Sequence, residues 1–215
     1  MYRIAIAAMR YFFSLTVGID QQRKRYLYMA NTNSKQTGHT AVRALCEGAV
    51  MVALATILSL IRLFSLPQGG SINLAMLPLF IYCWRWGWKE SILTTFAFGL
   101  LQIVVDGAYG WGLICILFDY ILAFGVLGVA SLFMRKNMYV GVTVACLLRF
   151  ACHFTSGITA FRLLAPTELF NTTFTNPYLY AAAYNGSFIA IDLVLILVIL
   201  TLLRKPLSRY LTAQK

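Results

Sequence analysis

Six apolar runs, at approximately residues 42–63, 74–86, 88–105, 112–134, 138–161 and 179–203, fill most of the chain beyond residue 41. A helix rises about 1.5 Å per residue and the hydrocarbon core of a bilayer is about 30 Å thick, so runs of about 20 apolar residues match a membrane span. In lipid every backbone N–H and C=O must find a partner, which for such runs means a helix. The sequence predicts an all-α, polytopic membrane protein with six transmembrane helices. The second run is short, so it either extends back through "SINLAML" or begins partway into the membrane. Composition agrees: 12% of the 215 residues are charged, against roughly 25% in soluble domains.

Lys and Arg gather on the cytoplasmic side of a membrane protein. Arg43 precedes the first run, Arg85 and Lys89 separate the second and third, and Arg135 and Lys136 separate the fourth and fifth. Arg204, Lys205, Arg209 and Lys215 follow the last. The alternate loops, "SLPQGGSIN", "DGAYGWG" and 162–178, hold Arg62 and Arg162 only at their edges. Both termini are therefore expected in the cytoplasm and the protein in the cell membrane. The net charge of +11 is scattered in short clusters between apolar runs. It forms no basic stripe of the kind that binds nucleic acid.

Residues 1–40 fit this scheme poorly, because "IAIAAMRYFFSLTVGI" is broken by Arg10 and followed by "QQRKR". They are read as an N-terminal extension, with Met29 as the natural start. Residues 41–205 form the membrane domain and 206–215 a cytoplasmic tail. The five cysteines lack CxxC spacing and sit within or beside apolar runs, as small buried hydrophobes do. Neither a metal site nor a cofactor is expected. The acids stand singly on separate helices, which argues against an intramembrane enzyme.

Polar groups inside a membrane are costly, so they face the bundle interior and mark sites. Counted from the outer ends of their helices, Asp119 lies about 12 Å deep, His153 about 13 Å and Asn185 about 9 Å. Three helices thus bring an acid, an imidazole and an amide to one layer, suggesting a cavity that opens outward. Arg149 and Asp192 each lie about 20 Å down, which suggests either a structural ion pair or a proton relay. Tyr109, Trp111, Phe161, Tyr178, Tyr180 and Tyr184 cluster at outer helix ends. Such aromatics form interfacial belts, and they also hold cationic rings. Ala49 and Ala53 make a small-xxx-small strip that admits another helix, within the bundle or outside it.

Four stretches, "SLPQGGSINLAMLP", "DGAYGWGLICILFDY", "RFACHFTSG" and "YAAAYNGSF", resemble in order and spacing the thiamine-specific S-components of energy-coupling factor transporters, the ThiT/YuaJ type. The resemblance covers about residues 41–205. It implies a membrane protein that binds thiamine with high affinity in an outward-facing cavity. It implies docking on a transmembrane coupling subunit that carries two ATPase subunits, the chain itself hydrolysing no ATP. Position by position it implies binding roles for Asp119, Tyr120, His153, Gly157, Tyr180, Asn185 and Tyr109, and a coupling role for Ala49 and Ala53. Phe161 would stack on the ligand where some members carry Trp, and Asp119 stands where some carry Glu. An S-component for another vitamin and a solitary proton-coupled thiamine transporter remain as alternatives.

Overall fold

The computed structural model describes residues 40–66, 70–107, 112–164, 167–169 and 172–212. The chain divides into two compact units, residues 1–44 and 45–215. The first enters the described residues only as Thr40–Ala44, a stretch of helix. The expectations about residues 1–39, including the start at Met29, lie outside the described residues.

Among the described residues six helices follow in order: α1 (Thr40–Leu60), α2 (Met76–Arg85), α3 (Trp88–Val105), α4 (Leu113–Met134), α5 (Met138–Leu164) and α6 (Pro177–Thr212). Five of them, all but α2, are long and apolar enough to cross a membrane. The chain is a multi-pass membrane protein. Two short antiparallel ribbons decorate the end where α1, α3 and α5 finish. One is β1 (Phe64–Ser65) with β2 (Ser71–Ile72), the other β3 (Thr167–Leu169) with β4 (Thr172–Phe174). The last helix runs through Pro206 to Thr212, past the point where a tail was expected.

Helix α2 does not extend back through "SINLAML". Ser71 and Ile72 are strand, and the helix has 10 residues, about 15 Å of rise. A helix that starts inside the bundle exposes N–H groups that lipid cannot satisfy. Here the Asn73 side chain accepts from the Ala75 N–H at 2.9 Å, and the Asp192 carboxylate accepts from the Asn73 N–H at 3.3 Å. Asp192 is 2% exposed and takes this position from α6.

The core gathers around α2: Met76, Leu79, Phe80 and Cys83 share one buried cluster with Phe98 of α3, Leu127 and Ala130 of α4, Val142 of α5 and Ile196 of α6. Glycines allow the closest approaches. A Cβ on Gly128 would lie 2.6 Å from the Ile92 backbone, and one on Gly99 would lie 2.6 Å from the Tyr120 carbonyl oxygen, so α3 and α4 touch backbone to backbone. Gly48 of α1 packs against side chains instead, its Cβ position lying 2.8 Å from Thr94 Oγ1. The opposite side of α1 leaves Ala49, Val50, Ala53, Leu54 and Ile57 exposed.

At the end of α2 a charged clasp ties it to α1. Arg85, 2% exposed, holds Glu47 with Nε 2.8 Å from Oε2 and Nη2 donating to Oε1 at 3.2 Å. The Trp86 indole N–H donates to the same carboxylate at 2.9 Å. Removing one member of a buried pair strands the other and costs roughly 3–5 kcal/mol. Glu47→Ala is expected to lower stability by about 3 kcal/mol, read as an earlier denaturant midpoint in detergent. An unchanged midpoint would show that the clasp carries no stability.

Candidate functional site

Helix α4 is not regular. Leu117–Leu122 form a π turn and Val126–Ala130 a 3-10 turn. π turns insert one residue into a helix and are frequent at functional sites. This one carries Asp119 and Tyr120. Close packing of Gly99 against the Tyr120 carbonyl holds α3 against the turn.

Asp119 meets α5. Its Oδ1 lies 2.7 Å from His153 Nδ1, and its Oδ2 accepts from the Ser156 hydroxyl at 2.5 Å. The Arg149 Nε–H donates to His153 Nε2 at 3.3 Å. An imidazole nitrogen that accepts cannot carry a proton, so the bonding assigns the tautomer: His153 is neutral and donates from Nδ1 to Asp119. Arg149 also lies over the Phe124 ring, its guanidinium carbon 4.4 Å from the centroid. Arg149 is 8% exposed while the Asp119 side chain is 31% exposed. The cation is therefore the more deeply buried of the two, and the carboxylate is the more open to the cavity.

The expected direct Arg149–Asp192 ion pair is not formed. Matching depth brought both charges into the interior, but Arg149 is bound to His153 and Phe124, and Asp192 serves the start of α2.

Asn185 of α6 donates both amide hydrogens, to the His153 carbonyl and the Ala181 carbonyl, each at 3.0 Å. Two carbonyl partners fix which end of the amide is nitrogen, and its oxygen is left for the cavity. Gly157 makes this approach possible: a Cβ there would lie 2.7 Å from Asn185 Nδ2 and 3.0 Å from Ala181 Cβ. Tyr180, Tyr184 and Phe188 form a stripe one turn apart on α6. Tyr180 stacks on Tyr184 at 5.7 Å and 18°, and Phe188 meets the edges of Tyr184 and His153.

These groups surround a cavity of about 440 Å³, within the roughly 300–1,000 Å³ usual for small-ligand pockets. Asp119, Tyr120, His153 and Asn185 line it, as does Arg149. Tyr180 is set behind Tyr184, and Gly157 acts through packing. Tyr109 and the Phe161 side chain lie outside the described residues. The cavity also reaches Ser59, Arg62, Gln102 and Asp106, at the ends of α1 and α3. The Ser59 hydroxyl donates to the Thr56 carbonyl at 2.7 Å and stands 3.3 Å from Gln102 Oε1, and Arg62 pairs with Asp106 at 3.1 Å. Burial raises the Asp106 carboxyl above its ordinary range, against the downward pull of Arg62. Residue-by-residue depth counting missed this second pole, although buried Ser59 and Gln102 within apolar runs were the signal that polar residues in a span provide. The Tyr180–Tyr184–Phe188 spacing was likewise readable.

The inner pole has a defined chemistry. The His153 nitrogens, the Ser156 hydroxyl and the Asn185 amino group are spent on protein partners. What the Asp119–His153–Asn185 pole offers is acceptors: the remaining lone pairs of Asp119 and the Asn185 oxygen, beside aromatic faces. Such a surface suits a flat ligand with N–H donors or positive charge.

The fold and this cavity define a polytopic membrane protein with a built polar pocket inside its helical bundle. The family model described as thiamine transporter protein (Thia_YuaJ) matches residues 45–212. The chain is 30% identical over 188 residues to the thiamine transporter ThiT of Bacillus subtilis (strain 168), an alignment covering 80% of this chain and 95% of that one. The solved structure of ThiT from Listeria monocytogenes shares the fold, with a TM-score of 0.69, 20% identity, and coverage of 79% of this chain and 97% of that one. The chain belongs to the Thia_YuaJ thiamine transporter family.

Gly157→Ala tests the packing that seats Asn185. Overfilling a tight contact costs about 1–3 kcal/mol, so a lower thermal midpoint is expected. A midpoint equal to the parent's would mean that the two helices separate freely at this point.

Proposed function

We propose that this chain is the high-affinity thiamine-binding subunit of a vitamin uptake transporter, with its cavity facing outward and both termini in the cytoplasm. The observation that carries this reading is the acceptor pole: Asp119, held by His153 and Ser156, beside the free oxygen of Asn185. Thiamine brings a permanently cationic thiazolium and a flat aminopyrimidine whose amine supplies two N–H donors. The amine and the cation are what an acceptor surface selects, and Tyr184 and Phe188 offer ring faces and edges beside them. Tyr120 and Tyr180 complete the aromatic surroundings, and the resemblance gives Tyr109 and Phe161 roles at the same ligand.

In this reading the protein binds but does not drive. A transmembrane coupling subunit and two ATPase subunits supply the energy, and the chain hydrolyses no ATP. The exposed small-residue strip of α1, Ala49 and Ala53, is the docking face for the coupling subunit. Membership in a thiamine transporter family supports the ligand, and the exposure of both alanines supports the interface.

Isothermal titration of the purified protein in detergent tests the ligand. Thiamine is expected to bind saturably while riboflavin and biotin do not. Asp119→Asn, which removes a charge from the acceptor pole, is expected to weaken binding by about tenfold to a hundredfold. His153→Ala, which frees one side of Asp119, is expected to weaken it by about tenfold or more. Folding of both variants is checked by thermal unfolding. Equal binding of all three vitamins, or full affinity in Asp119→Asn, would sink the assignment. Uptake by cells with and without the coupling module separates a dependent subunit from a solitary proton-coupled carrier.

A further inference from the structure

The Arg62–Asp106 pair lines the same cavity as Asp119 but stands at its other pole, where α1 and α3 end. The Arg62 and Asp106 side chains are 47% and 27% exposed, so this is the more open pole. Ser59 and Gln102, both nearly buried, stand on the same two helices beneath it. A ligand whose donor-bearing ring lies against Asp119 and Asn185 directs its opposite arm toward these groups. In thiamine that arm is a hydroxyethyl group, the position at which the vitamin is esterified with phosphate.

We infer that the Arg62–Asp106 pair is a charge filter that sets the preference between thiamine and its phosphate ester; this rests on the thiamine reading above. The hydroxyl arm needs only neutral partners, and Ser59 and Gln102 supply them. A phosphate needs a cation, and Arg62, the cation on this pole among the described residues, is held by Asp106. The same carboxylate repels the phosphate. A free Arg62 would reverse the preference, because guanidinium pairs strongly with phosphate oxygens. Asp106 is thus a specificity residue that works by occupying its neighbour.

The test measures thiamine and thiamine monophosphate affinities by titration for the parent protein, Asp106→Asn and Arg62→Gln. Asp106→Asn keeps the shape, removes the repelling charge and releases Arg62. It should shift the affinity ratio about tenfold toward the phosphate ester. Arg62→Gln leaves Asp106 bare and should shift the ratio about tenfold the other way. Opposite shifts in the two variants are the signature of a filter. A pair that merely braces two helices would weaken both ligands equally in both variants, and that result overturns the inference. A ratio unchanged in Asp106→Asn, with thiamine binding intact, overturns it as well. If either variant fails to fold, the direction of the ratio in the other decides. Failure of the parent to bind thiamine at all would instead remove the ligand assignment, and the filter with it.

Discussion

A peptide group buried without a partner is costly, and the start of α2 is where this protein meets that rule. Met76 opens a helix inside the bundle, and its free N–H end is served by the Asn73 side chain and, one step earlier, by the Asp192 carboxylate. Because α2 begins there, five long helices enclose a volume that the sixth fills only in part. Below the start of α2 the space is packed with Phe80, Leu79, Leu127 and Ile196. Cavity-lining Ser71 and Asn73 lie just before the helix begins, so the pocket sits where the chain has not yet become helical.

The pocket's character follows from where its charges are hidden. Arg149 is buried against Phe124 and linked to Asp119 through a neutral histidine. Such an arrangement ties the carboxylate to a cation through an intervening imidazole, not by direct contact. The His153 nitrogens, the Ser156 hydroxyl and the Asn185 amino group are committed to protein partners, and this directs that pole toward ligands that bring donors or charge of their own. Selectivity here comes from groups that are already spoken for as much as from those that are free.

Much of this could be read from the sequence, because depth along a helix is set by residue count. Asp119, His153 and Asn185 were placed in one layer by counting, and they do converge. Counting fails where the helix is irregular or stops. It gave Arg149 and Asp192 equal depth and so suggested a pair, but it carried no information about the azimuth of either side chain. Nor could it show that the backbone ahead of α2 would claim Asp192. The outer pole was hidden for a different reason. Arg62 and Asp106 belong to loop edges, where charge is ordinary, and their meeting depends on how α1 and α3 pack through Gly48 and Thr94.

The π turn of α4 has a consequence for how such a pocket can diversify. An extra residue in Leu117–Leu122 puts the part of α4 that lines the cavity out of phase with the part that packs below it. The phase of Leu127 and Ala130 against α2 is therefore set independently of the direction in which Asp119 points. One helix carries two separately adjustable faces joined by a slip of one residue. Descendants of this scaffold can retune the wall of the pocket at Asp119 and Tyr120 while inheriting its foundation unchanged.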